Sequence, residues 1–348
     1  MASAPAQSIG YAVIGAGAFG SNHLRVIREL SAASGDSVRL AAIVESNPAL
    51  RQTLQSDFPQ TPIFHDIDAC LAASAAGAIE LHAGSVCVPT SAHAAVASTL
   101  LQSGIDVLVE KPIAASLAEA DALIALAARH QRIFQVGHLE RFNPAVLAVY
   151  PYIQMPMFFE AHRLSIFTPR SLDVDVVLDL MVHDLDIVLS LVQSRVHSLQ
   201  AVGLPVLSRK VDIANVRIEF ASGCVANFTA SRVSTERVRK LRFFQPHQYV
   251  SIDYARQDLL FIDVKPQLSA ATAPPDAADL LSGLALSKPA VTPGEPLRLE
   301  IESFLRSVRT RQQPQVTGQQ GREALALALE INAAIAEHAS RAHLDRFI

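Results

Sequence analysis

The chain has no apolar run of about 18 residues, so nothing in it reads as a membrane-spanning helix. Cysteine is scarce: Cys70, Cys87 and Cys224 are the three present, and none is close to another in sequence. An odd count without a C-x-x-C pair argues against a disulfide framework and against a structural zinc site. Cys87 and Cys224 sit in apolar, strand-like surroundings that suit small core residues. No metal is expected. Basic residues are not in excess either. The formal net charge is −4, which supplies no electrostatic reason for a nucleic-acid or anionic-membrane partner. Met1 to Gly10 has neither the basic region nor the apolar stretch of a secretory signal, so a cytoplasmic enzyme is the expectation. There is no internal repeat.

What is present is bulk with a change of rhythm. The 348 residues are 50% hydrophobic, enough for two domains with separate cores. Up to about residue 140, short apolar runs (Tyr11 to Ile14, Leu40 to Val44, Ser85 to Val88, Ile105 to Val109, Ile133 to Val136) alternate with helical stretches (Ala18 to Ser31, one opened by Pro48, Ala92 to Gln102, Ser116 to His130). That alternation predicts βαβ units and a parallel sheet covered on both faces. From 141 to 348 the pattern is different. A helix is predicted over Val176 to Val192. Strands then follow in succession: Asp212 to Phe220, Val225 to Val233 with Gly223 in the turn, and one or two long strands over Lys240 to Val264. Ser269 to Pro296 reads as a loop, and helices over Leu297 to Thr310 and Gly321 to His338 close the chain. The second domain is therefore expected to be α+β with a mainly antiparallel, open sheet. Its C-terminal helices are free to return to the first domain. The open sheet also invites a homodimer or homotetramer.

Gly15-Ala16-Gly17-Ala18-Phe19-Gly20 matches G-x-G-x-x-G between a strand and a helix. Gly15 permits the tight turn, Gly17 lets the backbone approach a pyrophosphate, and Gly20 lets helix and strand pack closely. The helix N-terminus then faces the phosphates. This predicts a Rossmann dinucleotide-binding domain. Glu45, at the end of the second strand, is placed to accept from both ribose hydroxyls and would repel a 2′-phosphate, which favours NAD over NADP. The plain alternative is a solvated loop carboxylate. Phe19 in the turn, and Pro89 and Glu110 beyond later strands, complete the expected cofactor side.

Glu110-Lys111-Pro112 directly follows a predicted strand, where parallel sheets open their ligand crevice. Lys111 there can reach a substrate hydroxyl, or can simply pair with Glu110. Asp179 and His183 are four apart on a predicted helix. Histidine is a natural proton acceptor near neutral pH, and a neighbouring carboxylate can orient it. Asp184 and Asp186 are competing partners. Arg163 and Arg170 are candidates for a pyrophosphate or are ordinary surface charges. His138 is placed to line the crevice; Asn143 can do that or cap a helix. The basic stretch Arg232, Arg237, Arg239, Lys240 and Arg242 reads as a solvated sheet edge or subunit contact.

The glycine turn, Glu110-Lys111-Pro112 and Asp179-x-x-x-His183 occur in the order seen in the glucose–fructose oxidoreductase/inositol dehydrogenase family, which the chain resembles over nearly its whole length. Val136-Gly137-His138 and Glu295-Pro296-Leu297-Arg298 extend the likeness. The resemblance implies an NAD-dependent sugar dehydrogenase acting on a CH-OH group, with Lys111, Asp179 and His183 facing nicotinamide and carbinol. The assignment of base between Lys111 and His183 stays open. The family often has a glycine pair before the Asp/His helix; Val174 and Asp175 stand there in this chain. A narrower likeness, over Val136 to Pro144, Glu160 to Arg163, Ser171 to Asp186 and Arg237 to Tyr254, is to the members that oxidise UDP-N-acetylglucosamine at C3 ahead of transamination for lipid A. Alternatives are a dehydrogenase of another sugar, inositol or UDP-sugar acid, and a non-catalytic NAD-binding regulator.

Overall fold

The computed structural model describes residues 8–33, 37–167, 174–265 and 283–344. The chain divides into two compact units. One comprises Met1–Leu139 and Leu297–Arg322, the other Glu140–Pro296 and Glu323–Ile348. The stretch 297–322 thus belongs with the N-terminal unit.

The first unit is built on six parallel strands: β1 (Ile9–Ile14), β2 (Val38–Val44), β3 (Ile63–Phe64), β4 (Ala83–Val86), β5 (Asp106–Glu110) and β6 (Phe134–Gly137), in spatial order β3-β2-β1-β4-β5-β6. β1, β4, β5 and β6 are buried at every residue, as a sheet covered on both faces requires. Strand order reverses between β1 and β4, the switch point at which such sheets open a ligand crevice. The helices are α1 (Gly20–Ala33), α2 (Pro48–Asp57), α3 (Ile67–Ala75), α4 (Thr90–Gln102) and α5 (Leu117–Arg129). Their starts are set locally. Asn47 accepts from the backbone N–H groups of Ala49 and Leu50 with Pro48 in the first turn, and Ser116 with Glu119 forms a capping box. A further helix, Pro296–Thr310, packs Leu297, Ile301, Phe304 and Leu305 into the same core as Tyr11, Val13 and Leu108.

The second unit is an eight-stranded sheet with order β14-β13-β12-β11-β7-β10-β9-β8. Its strands are β7 (Phe158–Ile166), β8 (Val196–Leu204), β9 (Ile213–Phe220), β10 (Val225–Ser234), β11 (Val238–Gln245), β12 (Gln248–Asp253), β13 (Asp258–Val264) and β14 (Leu284–Ser287). β7 and β10 pair in parallel; the other pairs are antiparallel. Alternate residues (Phe159, Ala161, Val216, Ile218, Phe228, Phe243) point into a core shared with α6 (Pro144–Val149), α7 (Val182–Val192) and the far half of the last helix. The helix Pro296–Thr310 is α8, and the last one, α9 (Gly318–Arg341), carries the boundary between the units at Arg322/Glu323.

Three expectations need correction. Lys240 to Val264 lies across three strands, not one or two, because the reversals at His247 and Gln257 adopt positive φ (63° and 55°) without a glycine. β14 falls within the segment expected to be loop. The first turn of the predicted helix 176–192 is a π-helix, Val177–Met181, closed by Val182 N–H to Val177 O. Among the described residues no helix is long and apolar enough to cross a membrane, and no cluster of three His, Cys, Asp or Glu is placed to hold a metal.

Candidate active site

The turn after β1 has three glycines with three different surroundings. Gly15 adopts φ +89°, and a Cβ there would lie 2.8 Å from the Cys87 carbonyl. A Cβ on Gly20 would lie 1.9 Å from the Gly15 oxygen, so only glycine lets α1 start against β1. A Cβ on Gly17 would meet nothing within 4 Å. The backbone at Gly17 therefore faces open space, as it must if a pyrophosphate is to approach it, and the residues present fit a dinucleotide. Phe19, 38% exposed, sits edge-on to His23.

Glu45 is buried at the end of β2. One carboxylate oxygen accepts from Ala16 N–H at 2.8 Å and the other from Asn47 N–H at 2.8 Å. The carboxylate thus pins the glycine turn to the start of α2, and each oxygen keeps a second lone pair for a hydroxyl. Arg51 braces the same corner by donating to the Glu45 and Ser46 carbonyls.

Glu110 is also buried, and its oxygen lies 3.0 Å from His23 Nε2; His23 Nδ1 lies 2.9 Å from Ser85 Oγ, which in turn meets the Tyr11 hydroxyl. Burial, chiefly, drives the Tyr11 phenol far above its usual range. This Tyr11–Ser85–His23–Glu110 chain holds β1, β4, α1 and the end of β5 together directly before Lys111. Glu110 therefore acts as an internal brace of the cofactor unit. The Lys111–Pro112 peptide is cis. The Pro112 carbonyl lies 2.8 Å from His93 Nδ1, and His93 Nε2 lies 2.9 Å from the Val88 carbonyl. Burial lowers the His93 pKa against the opposing pull of these two carbonyls and Glu110. His93 joins the turn carrying Lys111 to the turn carrying Pro89. Sequence reasoning passed over both His23 and His93. The available signal was a histidine on an otherwise apolar helix face. His138, 1% exposed, follows directly on β6.

In the second unit, Asp175 explains the departure at the approach to the π-turn. Its carboxylate accepts from Val177 and Leu178 N–H and from the Asn332 amide, so it caps this helix where the family often has glycine. Asp179 lies within the π-turn and His183 one residue beyond its close, both half-buried. The i→i+5 winding around Asp179 gives a wider turn than the α-helix expected there, of the kind often found at functional sites. Asp184 and Asp186, the competing partners, are engaged elsewhere, by Arg163 and Arg141.

Arg163 does not serve as expected. It is 3% exposed, donates through Nε and Nη2 to the two oxygens of Asp184 (2.7 and 3.1 Å) and through Nη1 to Glu140 at 3.0 Å, and lies over the Tyr254 ring. With its fork spent on buried carboxylates, it is a structural cation and is withdrawn as a pyrophosphate ligand. Arg170 lies outside the described residues. Asn143 caps α6 through Ala145 N–H. Arg232 is not at a solvated edge. It is buried against Asp212, whose carboxylate also accepts from the N–H groups of Val206, Leu207 and Ser208. Burial alone would raise the Asp212 carboxyl; the Ser208 hydroxyl and these three N–H groups outweigh it and hold it well below the usual range.

Comparison with known proteins matches residues 9–138 to the model of an oxidoreductase family with an NAD-binding Rossmann fold, and residues 153–245 to the GFO/IDH/MocA C-terminal domain. The UDP-N-acetylglucosamine 3-dehydrogenase of Acidithiobacillus ferrooxidans is 33% identical over 93% of this chain and 96% of its own. Its solved structure superposes with a TM-score of 0.82, covering 94% of this chain and 98% of that one at 31% identity. An inositol 2-dehydrogenase of Corynebacterium glutamicum is 25% identical over 56% of this chain and 57% of its own. Levoglucosan dehydrogenase in complex with NADH shares the fold, with a TM-score of 0.81 at 17% identity over 95% of this chain and 97% or more of its own.

Proposed function

The chain belongs to the GFO/IDH/MocA oxidoreductase family and is an NAD-dependent dehydrogenase acting on a CH-OH group, and from that premise we propose that its substrate is UDP-N-acetylglucosamine, oxidised at the 3-hydroxyl to the 3-keto sugar nucleotide ahead of transamination for lipid A. The observation that carries this reading is the end-to-end similarity to the Acidithiobacillus enzyme, at 33% identity.

The cofactor, when bound, supplies the acceptor for the hydride leaving C3. The protein's share is placement and proton management. Gly15, Gly17 and Gly20 shape the pyrophosphate turn. Glu45 accepts the ribose hydroxyls with the lone pairs that Ala16 and Asn47 leave over. His183 takes the hydroxyl proton, and Asp179 orients it and stabilises the imidazolium. The ammonium of Lys111 stabilises the developing alkoxide. The outward face of the second sheet, with Arg217, Arg242 and Phe244 exposed, supports assembly into a homodimer or homotetramer.

The test is NADH absorbance with purified protein, NAD and UDP-N-acetylglucosamine, the 3-keto product being drawn off by an aminotransferase and glutamate. NADH formation that depends on the nucleotide sugar is the expected result. Silence, with NAD still bound in a separate titration, refutes the substrate and turns attention to free sugars and inositols, then to a regulatory role.

A further inference from the structure

The second unit spends a carboxylate or a side-chain acceptor on nearly every arginine that its described strands carry. Arg163 has Asp184 and Glu140, Arg232 has Asp212, Arg242 has Glu160, and Arg217 has the Asn227 amide oxygen. Arg239 on β11 is different. It is half-buried, its Nε is shut away from solvent without a hydrogen-bond partner, and no carboxylate among the described residues lies within ion-pair distance of it. Its cross-strand neighbour is Arg163, so two guanidinium groups face the same side of adjacent strands with their Cβ atoms about 5 Å apart. Like charges so placed repel, and burying a cation without a partner costs free energy. Burial and the Arg163 charge, followed by that of Arg237, push the Arg239 pKa down, and Glu140 and Asp184, already accepting from Arg163, offset this only in part. Among the described residues no carboxylate is left over to pair with this cation.

The position bears on the reaction. Arg163 bonds Asp184, the residue after His183. In a nucleotide sugar the diphosphate hangs on C1, two ring carbons from the oxidised C3. A base at C3 therefore implies an anion one sugar-width away.

We propose that Arg239 is the cation that receives the diphosphate of a nucleotide-sugar substrate, the role its committed neighbour Arg163 cannot fill. This rests on the nucleotide-sugar reading above. A guanidinium presents donors that match phosphate oxygens in pairs, and a bound diphosphate would relieve the repulsion from Arg163.

The experiment is calorimetric titration of the NAD-loaded protein and of its Arg239→Gln and Arg239→Lys variants with UDP-N-acetylglucosamine, UDP and inorganic pyrophosphate, together with thermal melts. The expected loss for Arg239→Gln is roughly 10- to 100-fold in affinity for all three probes, from charge-assisted bonds of ordinary strength. KM for the sugar nucleotide should rise with kcat little changed. Arg239→Lys should recover part of the affinity. The melting temperature of Arg239→Gln without ligand should hold or rise, because a repulsive contact is removed; a structural cation would instead show a fall. Equal affinity in wild type and Arg239→Gln, or a lowered melting temperature with unchanged binding, overturns the assignment. Binding of pyrophosphate and UDP by wild type, lost in Arg239→Gln, with no binding of UDP-N-acetylglucosamine, upholds the anion site and refutes the proposed substrate. Failure of wild type to bind any of the three overturns both.

Discussion

Gly17 and Gly20 belong to one motif, yet the structure separates what each is for. At Gly20 an added methyl would sit 1.9 Å from the Gly15 carbonyl oxygen, a clash with backbone that no rotamer change can relieve. Overpacking of this kind costs about 1–3 kcal/mol, or more where the obstacle is rigid. Gly17→Ala meets no atom within 4 Å, and Gly17 is not among the positive-φ glycines. The folded protein should accept it, with about 0.4–1 kcal/mol of gain from a less flexible unfolded chain. The loss falls on the ligand instead. A methyl between backbone and pyrophosphate is expected to weaken NAD about 100-fold, or roughly 2.8 kcal/mol. The assay is a thermal melt of wild type, Gly17→Ala and Gly20→Ala, each with and without NAD at about 100 times the wild-type Kd. Wild type should gain about 2.7 kcal/mol from ligand. Gly17→Ala should melt at or slightly above wild type in the absence of NAD and gain only about 0.4 kcal/mol in its presence, by the same linkage. Gly20→Ala should melt low in both. If Gly17→Ala binds NAD as wild type does, or melts as low as Gly20→Ala, the cofactor is not seated over this turn as argued.

Lys111→Ala and His183→Ala should each keep NAD affinity and lose turnover at least 100-fold; near-normal kcat in both would remove them from the mechanism. Glu45→Ala should weaken NAD and narrow the preference over NADP, read as the ratio of the two dissociation constants, since the same carboxylate both anchors Ala16 and repels a 2′-phosphate. Asp212→Asn should cost about 3–5 kcal/mol, because it strips the carboxylate from buried Arg232. The pH sign follows from the depressed carboxyl: its contribution is fully present above the unfolded value of about 3.9 and is lost as pH falls below it. The stability of wild type should therefore fall more steeply below about pH 4 than that of Asp212→Asn. Parallel acid curves would show that Asp212 is not the depressed group.

The first unit was legible because each of its signals is local. A glycine turn between strand and helix, a proline in a first helical turn and an apolar run before Glu110 each name their element within a few residues. The second unit was less so. β7, which binds both β10 and β11, carries polar residues at Glu160, His162 and Arg163 and lies far in sequence from its partners, so its periodicity is diluted and its neighbours are invisible from the chain alone. The reversals at His247 and Gln257 carry no glycine to announce them. At the site, residue type was readable and commitment was not. Arg163 and Arg239 look alike in sequence, and only the fold shows that the first is spent on Asp184 and Glu140. Glu110, counted among the cofactor residues, is turned toward His23.

The first unit is discontinuous, and that has a consequence for biosynthesis. Leu297, Ile301, Phe304 and Leu305 arrive more than 150 residues after β6, yet they complete the core around Tyr11, each contributing about 1.5–3 kcal/mol by burial. As the ribosome delivers the chain, the nucleotide-binding sheet must wait, one apolar face unclosed, while the whole of 140–296 emerges. Residues 140–296 are in effect an insertion within the first unit, and the second unit is itself completed only by 323–348. A fragment ending at residue 139 should therefore be prone to aggregate, and its rescue should require the 297–322 segment, supplied in trans or by circular permutation.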